Sequence, residues 1–187
     1  GKIDGLVNAA GGNLPEAVVQ PEQDIFKLNI TALEDVMRLN LVGTILPTQV
    51  FGEAIKNIGS GSIVNISSVV SQLPVTKVLG YSLAKSSVDS YTQWFAVELA
   101  KRYGDAIRMN SIAPGFFLTE QNRTLLTNTD GSLTDRGKLV LQNTPFKRFG
   151  NPLELAGALV WLLSDASKFV TGSKITVDGG FTIYSGV

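Results

Sequence analysis

Apolar and polar positions change period several times along the chain, and the changes mark out a strand–helix alternation. Leu6-Val7, followed by small residues, reads as a short buried strand ending at Gly11-Gly12. Residues 13–31 hold two prolines and scattered polar groups, which predicts a long loop with short helical pieces. Leu33, Val36, Met37, Leu41, Ile45, Leu46, Val50, Ala54 and Ile58 then recur at helical spacing up to Gly59. Thr31 and Glu34 ahead of that run predict a capping box, and Pro47 within it predicts a kink. Ile63-Val64-Asn65-Ile66 is a second buried strand, and a helix follows from about Tyr81 to Tyr103, stopped at Gly104. A third strand, Ile107 to Ile112, closes at Pro114-Gly115, and residues 116–150 are polar with weak helical segments. Asn151, Pro152 and Glu154 supply an N-cap, a first-turn proline and a first-turn acid for a helix running to Leu163. Lys174 to Val177 is the last strand, before Asp178-Gly179-Gly180.

Short apolar strands alternating with long helices imply an α/β fold, a parallel sheet covered on both faces in the doubly wound Rossmann manner. Right-handed crossovers then put the strand ends carrying residues 8–12, 67–72 and 114–119 on one edge. Open α/β sheets bind ligands at that edge. No internal repeat or linker divides residues 1–187, which read as a single domain.

Composition narrows the chemistry. Hydrophobic residues make up 44% and charged residues 17%, enough apolar content for one core. Sixteen basic residues balance sixteen acidic ones, so nothing electrostatic points to nucleic acid or an anionic membrane surface. No cysteine and no histidine occur, which excludes disulfides, thiolate nucleophiles, Ser-His-Asp mechanisms and most transition-metal sites. No metal is therefore expected. No segment resembles a signal peptide or a membrane span, so a soluble, cytoplasmic protein is expected. Acid–base chemistry must rest on Tyr, Lys, Asp or Glu.

Tyr81 and Lys85 stand at i and i+4, one turn apart on one helix face. A free tyrosine titrates near ~10. A neighbouring ammonium favours the phenolate and lowers that value, which provides a general acid without histidine. Standing alone, such a pair is usually an ordinary surface pair. Ser68 lies 13 residues before Tyr81, at the end of the second strand, where it can hydrogen-bond a substrate carbonyl or simply cap a loop. Asn40, in Asn40-Leu41-Val42-Gly43, is either a satisfied core amide or a hydration site.

Taken in order, these residues form a wider pattern: Leu6-Val7-Asn8-Ala9-Ala10-Gly11, Asn40-Leu41-Val42-Gly43, Gly61 to Ser68, Tyr81-Ser82-Leu83-Ala84-Lys85, Arg108 to Gly115, and Thr171-Gly172 leading to Asp178-Gly179-Gly180. Across nearly the whole chain this resembles the classical short-chain dehydrogenase/reductase family. The resemblance implies an NAD- or NADP-dependent oxidoreductase interconverting an alcohol and a carbonyl in a small-molecule substrate. Tyr81 would be the proton donor and acceptor. Lys85 would lower the Tyr81 pKa and hold the nicotinamide ribose, Ser68 would polarise the carbonyl, and Asn40 would hold a relay water. Asn8, Ala9, Ala10 and Gly11 would border the adenine-ribose side of the cofactor, with Ala9 replacing the family's commoner second asparagine. Pro114 and Gly115 would approach the nicotinamide, and Thr119 its amide or the pyrophosphate. Phe117 is either near the carboxamide or packed in the core.

The family's glycine-rich phosphate loop, T-G-x-x-x-G-x-G, does not occur in the chain. Gly1 matches the family just before its fourth strand, and the only methionines are Met37 and Met109. Three strand–helix units, about 90 residues, are thus expected to precede this sequence in the family pattern, leaving the equivalents of strands 4–7. Residues 1–187 alone are expected to be incompetent as an enzyme. Segment 116–150 corresponds to the family's substrate lid, opened by Glu120, Gln121, Asn122 and Arg123, while Asn13 and Gln20 in the long loop can face substrate. Among these, Asn13, Gln121 and Arg123 are the candidate substrate contacts. The lid and loop resemble those of family members acting on sugar acids, of the mannonate–fructuronate type. A 3-oxoacyl thioester is the alternative substrate, and a non-catalytic fragment or pseudo-enzyme the alternative function. Apolar residues on more than one helix face, with the resemblance, predict a homo-oligomer, a tetramer.

Overall fold

In the computed structural model, which describes residues 2–120 and 122–186, four parallel strands form one sheet in the order β1-β2-β3-β4. They are β1 (Gly5–Asn8), β2 (Gly61–Ile66), β3 (Ile107–Pro114) and β4 (Lys174–Val177). The helices are α1 (Ile30–Met37), α2 (Gly43–Ile58), α3 (Leu79–Tyr103), α4 (Arg123–Leu126), α5 (Asp135–Gln142) and α6 (Ala156–Leu163). Because every pairing is parallel, the strands' carboxyl ends share one edge, as the alternation predicted.

β2 and β3 are buried along most of their length because helices cover both faces. On one face Ile63 and Met109 pack with Ile55 of α2 and Ala96 and Leu99 of α3. On the other, Val64 and Ile112 pack with Leu162 of α6, joined by Ile175 and Val177 of β4. A fully buried side chain of this size contributes about 1.5–3 kcal/mol. A third cluster, Ala17, Ala32, Val36 and Ala84, seats the long loop and α1 against the start of α3.

A polar row crosses the sheet at one level. Asn8 pairs in register with Asn65, Asn65 with Ser111, and Ser111 with Lys174. All four residues lie on the α2–α3 face. Asn8 Nδ2 donates to Thr48 Oγ1 and to Asn65 Oδ1, both at 2.8 Å, and Asn65 Nδ2 donates to Thr92 Oγ1 at 2.9 Å.

Two local expectations change. The cap of α1 is Asn29, whose Oδ1 accepts from the Ala32 amide at 3.2 Å; Thr31 already lies inside the helix, so the Thr31–Glu34 box does not form. α2 runs through Pro47. The irregular stretch is instead a π turn, Arg38–Val42, one turn earlier, joining α1 to α2. Further along, Asn151 caps as read, on a short 3-10 turn, Pro152–Leu155, leading into α6, and with Glu154 it goes on to close a full capping box. Among the described residues, no helix is long and apolar enough to cross a membrane.

Candidate active site

β2 ends at Ile66 and turns sharply into a 3-10 turn, Val69–Ser71, capped by Ser68, whose Oγ accepts from the Val70 amide at 3.4 Å. The capping reading of Ser68 therefore holds alongside any catalytic one, and the turn fixes its hydroxyl at the sheet's carboxyl edge. α3 starts opposite. Gly80 allows α1 to press against it, since a Cβ there would lie 2.8 Å from Leu33 Cδ2. Tyr81 packs on the Ala17–Val36–Ala84 cluster, with Ser68 near enough to its hydroxyl to act on its pKa. One turn on, the buried Lys85 donates from Nζ to the Ile66 carbonyl at 2.8 Å. The same nitrogen stands 5.5 Å from the centre of the Tyr81 ring.

Electrostatics at the pair run against the expectation. Burial raises the Tyr81 pKa, and the hydrogen bond with Ser68 offsets this only in part. Burial also pulls Lys85 down to about 8, opposed by the nearby charge of Asp89. Desolvation thus weakens the hold of Lys85 on the proton that would stabilise a phenolate.

Asn40 sits in the π turn, fully buried. Its Nδ2 donates to the carbonyls of Gly12 (2.7 Å) and Val36 (2.8 Å), and its Oδ1 accepts from the Gly12 amide at 3.0 Å. Both side-chain hydrogens are therefore occupied, one clamping Gly12 and the other bonded back to Val36 of α1, and the Asn40 carbonyl accepts from Thr44 Oγ1 at 2.8 Å. The clamp draws Gly11 in so closely that a Cβ on it would lie 2.5 Å from Asn40 Oδ1 and 3.2 Å from Lys85 Nζ. Gly11, Asn40, Ser68, Tyr81 and Lys85 are thus brought together at one edge.

The other sequence candidates divide. Ala9 and Ala10 are exposed beside Gly11 at the end of β1. Asn8 is corrected: its side chain turns into the sheet interior toward Thr48 and Asn65, because residues alternate sides along a strand. Its Oδ1 has no partner among the described residues. Pro114 ends β3, and Gly115 follows it, its amide donating to the Val177 carbonyl at 2.9 Å. A Cβ there would lie 2.7 Å from the Asp178 Cα. Phe117 is buried with its ring against Gly150, which favours the core reading. The Thr119 amide donates to Asn122 Oδ1 at 2.9 Å, tying the start of the lid. Arg123 is exposed and already paired with Glu120 at 2.9 Å, so a carboxylate of this chain occupies the guanidinium offered to substrate. Asn13 is half-buried, and its Oδ1 lacks a partner among the described residues; Gln20 is exposed. Gln121 lies outside the described residues.

Sequence reasoning missed the Gly12 clamp, the Ile66 carbonyl and an ion pair behind Lys85: Lys174 Nζ to Asp89 Oδ2 at 2.9 Å. Only the last left a signal, since Asp89 stands a further i+4 step from Lys85.

A dinucleotide fits the open end of this edge. The exposed Ala9–Gly11 backbone, the Lys85 ammonium and the Ser68 and Tyr81 hydroxyls supply donors and acceptors there.

The family model described as enoyl-(acyl carrier protein) reductase matches residues 1–182. An uncharacterised oxidoreductase, UxuB, of Bacillus subtilis is 43% identical over 196 residues, covering 100% of this chain and 69% of that protein. A crystal structure from Haemophilus influenzae, provisionally named a D-mannonate oxidoreductase and holding NAD, superposes with a TM-score of 0.87 at 44% identity, covering 100% of this chain and 70% of that one. A gluconate 5-dehydrogenase from Burkholderia cenocepacia, in complex with NADP and tartrate, superposes with a TM-score of 0.82 at 35% identity, covering 97% of this chain and 66% of that one. With an unbroken parallel sheet, a Tyr–Lys pair at its carboxyl edge and these likenesses along its whole length, the chain belongs to the short-chain dehydrogenase/reductase family of oxidoreductases.

Proposed function

We propose that this chain carries the catalytic half of an NAD- or NADP-dependent oxidoreductase that interconverts a secondary alcohol and a ketone on a sugar acid. The observation that carries this reading is the convergence at one sheet edge of the Tyr81 ring, the buried Lys85 one helical turn on and the Gly11 backbone, with Ser68 fixed at the end of β2. When bound, the dinucleotide supplies or accepts the hydride. Tyr81 gives its proton to the carbonyl oxygen in reduction and takes one in oxidation, Ser68 donates a hydrogen bond to that same oxygen, and Lys85 holds the ribose hydroxyls. Ala9, Ala10, Gly11, Pro114 and Gly115 supply backbone beside the cofactor. The raised Tyr81 pKa suits proton donation, and so favours the reduction direction at neutral pH.

The sugar-acid class is supported by relatives acting on mannonate and gluconate, or holding tartrate, by their names. The polar opening of the lid, with Glu120, Asn122 and Arg123, agrees with it. The assembled Ser68–Tyr81–Lys85 cluster favours a working enzyme over a non-catalytic fragment.

The test is steady-state kinetics of the native protein on a panel of ketoaldonic acids and 3-oxoacyl thioesters with NADH and NADPH. Turnover of a ketoaldonic acid, lost by about 10² or more in Tyr81→Phe, is expected. Turnover in Tyr81→Phe matching the native protein rejects the assignment, and preference for the thioester rejects the substrate class.

A further inference from the structure

Behind the Tyr81–Lys85 pair, α3 carries a carboxylate at the next i+4 position. Asp89 is almost fully buried. Its Oδ2 accepts from Lys174 Nζ of β4 at 2.9 Å, and its Oδ1 lies 3.5 Å from the Ser111 hydroxyl of β3. Among the described residues it is the charged side chain that acts on Lys85, one helical turn away, while the Tyr81 ring, the Ile66 carbonyl of β2 and the neutral Gly11 backbone also lie beside Lys85. Lys174 is the only cation paired with Asp89 among the described residues.

We propose that Asp89, clamped by Lys174, is a positioning residue that sets how firmly Lys85 keeps its proton. Three charges alternate in sign through the interior, Lys85, Asp89, Lys174, from α3 to the last strand. The middle charge attracts the proton on Lys85, and the outer cation moderates that attraction. This arrangement carries a signature that mere packing lacks. Removing the middle charge loosens the Lys85 proton, whereas removing the outer charge leaves Asp89 uncompensated and tightens it. The two changes therefore act with opposite sign on one group 4 residues from Asp89 and 89 residues from Lys174 in sequence. The link to chemistry rests on the Tyr81–Lys85 reading above: a more fully charged Lys85 stabilises the Tyr81 phenolate and moves the acid limb of alcohol oxidation to lower pH.

The experiment uses the native protein, Asp89→Asn, Lys174→Met and Asp89→Glu, each labelled with ¹³C at the lysine ε-carbon. The Lys85 resonance, assigned by its loss in Lys85→Arg, is titrated by NMR, and the pH profile of oxidation is recorded in parallel. Asp89→Asn is expected to lower the Lys85 midpoint by about one pH unit and Lys174→Met to raise it, with Asp89→Glu near native. Shifts of the same sign, or none, overturn the proposal. If Asp89→Asn fails to fold, Lys174→Met decides alone, and a fixed or falling midpoint overturns it. Opposite midpoint shifts with an unmoved oxidation profile uphold the charge set and instead reject the catalytic role of Tyr81 and Lys85.

Discussion

At the scale of single residues, the pair Tyr81–Lys85 and its distant partner Ser68 were legible because helical spacing and a strand end dictate where such groups point. Asn8 was not legible. Its place next to a family motif suggested the crevice, but one step along a strand reverses the side, and the side chain went into the sheet. Arg123 has a partner the sequence reading left out: Glu120, three residues away, pairs with its guanidinium on the surface. The role of Asn40 as a clamp depends on Gly12, 28 residues earlier, a contact no local pattern announces. That clamp makes Gly11 a sensitive position. In Gly11→Ala the new methyl lies 2.5 Å from Asn40 Oδ1, so the mutant is expected to lose about 1–3 kcal/mol, through overpacking, together with activity. Thermal unfolding checks this, and an unchanged Tm would show that the clamp yields without cost.

At the scale of elements, all four strands and the long helices followed from period and punctuation: Gly59 closes α2 with φ 85°, and Gly104 closes α3 with φ 64°, conformations that glycine adopts freely. What period could not show was the π turn at Arg38–Val42, because it inserts no breaker residue and leaves the apolar pattern nearly intact. The Asn151 cap was visible in sequence, but its strengthening was not. Arg148 donates to both Glu154 oxygens at 2.7 Å, and the Asn151 amide donates to Glu154 Oε2 at 2.7 Å. These bonds, Arg148 first, bring the Glu154 pKa from 4.5 down to about 2. A carboxyl lowered on folding adds stability that is complete above its unfolded pKa and vanishes as pH falls through the folded one. The contribution is therefore expected to disappear between about 4.5 and 2. Urea unfolding across that window checks it: Glu154→Gln should show a shallower acid loss than the native protein, and parallel curves would remove the ion pair from the account.

At the scale of the whole molecule, several apolar surfaces remain uncovered among the described residues, and two of them flank the sheet. One is the outer side of α2 and α3, with Leu46, Val50, Leu83, Trp94 and Val97, next to a 430 Å³ cleft lined by Gln49, Glu53, Glu98 and Arg102. The other lies around α6 and β4, with Leu153, Val160, Phe169 and Ile183. Were each of these surfaces to pair with its own copy about a two-fold axis, a tetramer with 222 symmetry would result. Sedimentation at micromolar concentration is expected to show the tetramer, and Trp94→Glu should reduce it to a dimer; a monomeric native protein would overturn this. Sequence had flagged the surplus apolar residues, but not that they fall into separate patches, since that depends on how α6 crosses the opposite face. The polar row through Asn8, Asn65, Ser111 and Lys174 has a consequence for how such a chain folds. Strands built from Val and Ile runs attract one another almost equally well when slipped by two residues, which preserves which side each residue faces. Slippage here would strand the amide of Asn65 away from Thr92 and the cation of Lys174 away from Asp89, in a dry interior where each orphaned group costs about 1–3 kcal/mol or more. Mismatched sheets are therefore unfavourable, so the row fixes the register of a sheet whose hydrophobic strands alone would tolerate errors.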